Sequence, residues 1–81
     1  MITLFSMELH HNLQQYIKGS IFIEHNKKCD SLHITIHSDL TPFRFKVDNI
    51  QHKISVGYTT QDLTITVLNL FRKYVLKNFF V

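Results

Sequence analysis

Cysteine occurs once, at position 29, so the chain cannot close a disulfide on itself and is no disulfide-stapled scaffold. A lone thiol fits a reducing compartment, and a cytoplasmic location is the expectation. Proline occurs once and glycine twice, which leaves no flexible linker in the 81 residues. One domain over residues 1–81 is therefore expected, its elements joined by short polar turns. Long apolar runs are missing too: no stretch approaches the ~18 residues of a membrane span. Residues 1–6 lack the basic start and apolar run of a signal peptide, and none is expected.

Catalytic signatures are equally scarce. No GxSxG, HExxH, phosphate-loop or GxGxxG pattern occurs. The two glutamates and four aspartates are scattered singly, so no carboxylate pair stands out, and no spacing sets a histidine base beside Cys29. The expectation is a protein that is not an enzyme. Six histidines invite a metal, but zinc needs three or four ligands about 2.1 Å from one point. His33 and His37 share a strand face yet lie roughly 13 Å apart at four residues' spacing. His10 and His11 diverge by about 100° on a helix. No metal and no other cofactor is expected.

What is present suffices for one core. Hydrophobic residues make up 44% of the chain and charged residues 19%, too apolar a balance for a disordered segment. A chain of this size buries only somewhat over ~60% of its unfolded surface, so the core has to be compact. The net charge of +3 is compatible with an anionic partner without requiring one.

Helical periodicity marks both ends. Phe5, Leu9, Leu13, Tyr16 and Ile17 fall on one face, predicting a helix from about Ser6 to Lys18, with Ser6 as N-cap, Glu8 in the first turn and Gly19 as the stop. Leu63, Val67, Leu70, Phe71 and Tyr74 predict a long second helix that starts at Thr59 or Thr60 with Asp62 in its first turn. Between them, residues 20–25, 31–37 and 43–47 alternate with period two. Opposed residues must share a face, so Ile21 is expected opposite Ile36, Ile23 opposite Ile34, Ile36 opposite Phe43 and Ile34 opposite Phe45. Residues 48–58 stay open: Ile54, Val56 and Tyr58 alternate as a candidate short fourth strand, while Gly57 suggests a bend. The fold class expected is α+β, a helix, a three-stranded antiparallel meander and a long C-terminal helix, with both helices on one face.

Two surfaces emerge as candidates. Ile65, Leu76, Phe79 and Phe80 point away from the core stripe of the second helix, and a second apolar stripe implies a second burial. They point to a protein-interaction module, homodimeric through this helix. The outer sheet face would carry Phe22, His33, Thr35, Arg44 and Lys46, a basic platform with one aromatic. That composition suits phosphate contact and base stacking, hence nucleic acid as the alternative partner.

The order helix, three antiparallel strands, helix resembles the double-stranded-RNA-binding domain. In that family a Lys-Lys-x-Ala-Lys motif opening the second helix grips phosphates. Here residues 57–63 read Gly-Tyr-Thr-Thr-Gln-Asp-Leu, with an aspartate and no lysine, so the resemblance implies the architecture and not that RNA contact.

Overall fold

The computed structural model of the protein describes residues 1–39 and 42–79, Phe79 by its backbone alone. Its elements are α1 (Ile2–Gln14), β1 (Ser20–Asn26), β2 (Ser31–His37), β3 (Phe43–Val47), α2 (Ile50–Ser55) and α3 (Thr60–Phe79). The strands form one antiparallel sheet in the order β1-β2-β3. All four expected pairings hold: Ile21 with Ile36, Ile23 with Ile34, Ile34 with Phe45 and Ile36 with Phe43. β-branched residues at alternate positions leave one register that buries them together.

Leu9 and Leu13 of α1, Leu32, Ile34 and Ile36 of β2, and Leu63 and Val67 of α3 are wholly buried in one cluster. Both long helices therefore cover the same face of the sheet. They run parallel, because two contacts share an offset of 52 residues: Thr60 Oγ1 donates to Glu8 Oε1, and Asn12 Nδ2 donates to Thr64 Oγ1 at 3.4 Å.

The start of α1 differs from expectation. It begins at Ile2 behind Met1, which gives no side-chain cap, and Ser6 lies inside the helix. Ile2 and Phe5 pack on the core cluster, and burying them outweighs the hydroxyl cap that Ser6 would have supplied. The helix also ends early, at Gln14, and the amides of Tyr16 and Ile17 both bond the carbonyl of Leu13 in a tightened last turn. Ile17 is buried, but Tyr16 is 64% exposed and not part of the core face. The chain then turns into β1 at Gly19, whose φ is +141°.

The open segment contains no fourth strand; residues 50–55 form α2. Local pattern does not decide this, because the partners that hold α2 lie in the β1–β2 turn. The carbonyl of Asp30 accepts the Ile50 amide at 3.1 Å, and Asp30 Oδ2 accepts the Gln51 amide at 3.1 Å. Asn49 enters the helix with φ at +53°, a conformation asparagine tolerates better than most residues. Gly57, at φ +103°, then bends the chain towards α3.

α3 starts where the sequence places it. Thr59 Oγ1 accepts the Asp62 amide at 3.1 Å, and Asp62 Oδ2 accepts the Thr59 amide at 3.2 Å, a reciprocal cap. Twenty residues make α3 about 30 Å long, against about 20 Å for the thirteen of α1.

Candidate interaction surfaces

The unequal helices create the first surface. The shared offset sets Gln14, the end of α1, level with Thr66, so the rest of α3 runs on without its neighbour. Where the helices do meet, the seam begins polar, with Glu8 on Thr60 and Asn12 on Thr64. It turns apolar further on. Tyr16, Ile17, Leu68, Phe71, Arg72, Val75 and Leu76 line a groove of about 440 Å³. On its sheet side Phe43 meets Phe71 edge-on at 5.5 Å and Tyr74 in a tilted contact at 5.3 Å.

Of the residues expected at this interface, Ile65 is 51% and Leu76 58% exposed. They lie eleven positions apart, so they share a line along the helix to within about 20°. Phe79 continues the helix by its backbone; its side chain and all of Phe80 lie outside the described residues. Leu68, Arg72 and Val75 line the groove although the sequence does not mark them for an interface, and Tyr16, expected on the core face, lines it as well. The available signal was the difference in helix length, which leaves α3 the longer by about two turns.

The second surface is the outer sheet face. Glu24, His33 and Lys46 form one cross-strand row and Phe22, Thr35 and Arg44 the next. Phe22, Glu24, His33, Thr35, His37 and Arg44 line a shallow trough of about 340 Å³. Phe22 is 54% exposed and meets His37 edge-on at 5.4 Å. His33 and Thr35 are half-buried, while Arg44 and Lys46 are exposed. Glu24 sits in the trough with Arg44, so its charge is mixed rather than uniformly basic.

The remaining polar groups hold the turn region together. His25 Nε2 lies 2.9 Å from Asp30 Oδ1, fixing the carboxylate that carries α2. Ser31, itself buried, donates to Asp48 Oδ1 at 2.9 Å and accepts the Cys29 thiol at 3.2 Å. The Ser31 hydrogen bond, with the nearby Lys46 ammonium 3.6 Å away, holds the Asp48 carboxyl below its ordinary pKa of 3.8. A lowered folded-state value means stability that is complete above the ordinary value and is lost as the pH falls through the lowered one. Asp48→Asn removes this contribution. In thermal melts, wild type is expected to be the more stable above about pH 4, with the difference shrinking as acid is added below it. A difference independent of pH would contradict the assignment.

Among the described residues, no three His, Cys, Asp or Glu side chains come together as a metal site, and no helix is long and apolar enough to cross a membrane. Compared with known proteins, the chain matches no family model, no curated protein and no solved structure.

Proposed function

We propose that this chain is a small non-enzymatic interaction module that self-associates through the C-terminal half of α3. The observation that carries the reading is the groove left where α3 outruns α1. Among the described residues its lining is apolar and aromatic with one arginine and no carboxylate, a composition typical of the buried centre of protein interfaces.

The distribution of exposed apolar groups agrees. Among the described residues, eight large hydrophobic side chains are exposed, and seven of them (Met1, Leu4, Met7, Tyr16, Val56, Ile65 and Leu76) belong to the helices or the turns beside them. Only Phe22 lies on the sheet. In a two-fold pair each copy offers the same ridge and the same groove. Leu76 of one copy then enters the groove of the other, and Tyr16 can cover the Arg72 guanidinium across the axis. The free, exposed thiol of Cys29 is in keeping with a reducing, cytoplasmic setting.

Light scattering or sedimentation over a range of concentrations tests the reading. Wild type is expected to run as a dimer, and Leu76→Asp as a monomer with unchanged circular dichroism, since this side chain is mostly exposed in the single chain. An aspartate buried in an apolar interface costs several kcal/mol, which corresponds to a dissociation constant raised at least a hundredfold. Wild type that stays monomeric at high concentration would sink the proposal.

A second reading is favoured by the exposed Phe22 ring sharing a trough with Arg44. Here a nucleic-acid strand lies on the outer sheet face, with Phe22 or His33 stacking and Arg44 and Lys46 on phosphates. It predicts retention of mixed oligonucleotides that falls steeply with salt, and a shallower slope after Arg44→Ala with Lys46→Ala.

A further inference from the structure

The ladder itself identifies a third surface. The Ile21 carbonyl lies 3.1 Å from His10 Nε2 and so points away from β2. Antiparallel strands alternate the direction of their backbone groups residue by residue. With the registers given above, Phe22 and Glu24 then bond β2, and Ile34 and Ile36 bond β3. The backbone amides and carbonyls of Arg44 and Lys46 are left pointing outward from the sheet. β3 is an edge strand, and no hydrogen bond from outside the sheet reaches these groups among the described residues. The other edge, β1, has α1 against it through His10.

The two faces of this edge differ in character. Arg44 and Lys46 stand exposed on the outer face. Phe43 and Phe45, on the inner face, pack on the core yet stay only half-buried. An added strand would set every second side chain beside the cations and the intervening ones beside the phenylalanine rings.

We propose that the open edge of β3 is a docking strand for an extended peptide whose side chains alternate apolar and acidic. Charge complementarity selects this occupant over a second copy. Two β3 strands laid antiparallel would set Arg44 and Lys46 against the same cations, an arrangement that natural edges use to prevent self-pairing. The existing partner of Lys46, Asp48 at 3.6 Å, forms an exposed pair and competes little with an incoming carboxylate. The inner face of the edge adjoins the α3 groove through Phe43 and Phe71, but Arg44, Lys46 and their backbone groups take no part in the groove, so either proposal can fail without the other.

The test uses a synthetic peptide of alternating valine and glutamate, one of alternating valine and lysine, and a mixed single-stranded oligonucleotide. The glutamate peptide is expected to bind about tenfold more tightly than the lysine peptide, each of two facing charge pairs contributing a factor of roughly three. Binding should slow hydrogen exchange at the amides of Arg44 and Lys46, leaving that of Phe45, already bonded to β2, unchanged. Arg44→Glu with Lys46→Glu should reverse the peptide preference, and Arg44→Gln with Lys46→Gln should abolish it. Absence of peptide binding, an unchanged preference in these variants, or binding without protection of the two amides would overturn the proposal. So would retention of the oligonucleotide with no retention of either peptide.

Discussion

Gly19→Ala is expected to destabilise the fold by about 3 kcal/mol or more, a large share of the ~5–15 kcal/mol that holds a domain of this size together. Two effects add. The residue turns the chain from α1 into β1 at φ +141°, a conformation that residues with a Cβ rarely adopt. A Cβ there would also stand 2.2 Å from the carbonyl oxygen of His37, well inside contact distance. That oxygen belongs to the backbone at the end of β2, so relief requires moving the strand rather than rotating a side chain. Gly57 supplies the control. Its φ is +103°, but a Cβ would meet nothing within 4 Å, so Gly57→Ala carries the conformational strain alone, about 1–2 kcal/mol. Denaturant midpoints with unchanged slopes measure both, and equal losses would show that the overlap at His37 is relieved at no expense.

Leu63→Ala is expected to cost about 2–5 kcal/mol, the range for emptying a leucine site in a packed core. Leu63 is wholly buried in the first turns of α3, in one cluster with Leu9 and Leu13 of α1 and with β2. Leu76 lies on the same helix but is 58% exposed, so Leu76→Ala should change the stability of dilute, monomeric protein by less than about 0.5 kcal/mol. The contrast separates the two apolar stripes of α3 by experiment. A large loss at Leu76 in dilute protein would mean that the second stripe stabilises the single chain and is not held in reserve for a partner.

The sheet was readable from the sequence because its information is local and redundant. Leu32, Ile34 and Ile36 alternate with His33, Thr35 and His37, and a slip of one residue would put three histidine and threonine side chains into the core. The start of α3 was readable for the same reason, since Thr59 and Asp62 satisfy each other within one turn. α2 was not, because the atoms that fix it belong to Asp30, twenty residues upstream. Ser6 misled because a hydroxyl at a helix start is a weak preference beside the burial of Phe5 and Ile2. Ile65 and Leu76 were legible as a second stripe, but the groove was not. Its shape follows from the parallel offset of two helices of unequal length, a property of the assembled fold and of no segment within it.

The parallel pairing of α1 with α3 has a consequence for how the protein is made. The ribosome releases α1 and the hairpins first, yet the cluster that buries the apolar face of β2 is completed only by Leu63, Val67 and Leu68 of α3. Through that interval the nascent chain presents Ile34 and Ile36 to water beside an unpaired strand edge, the combination most prone to joining other chains. Ribosome-bound chains truncated before Leu63 should therefore recruit holdase chaperones, and chains extended past Leu68 should release them.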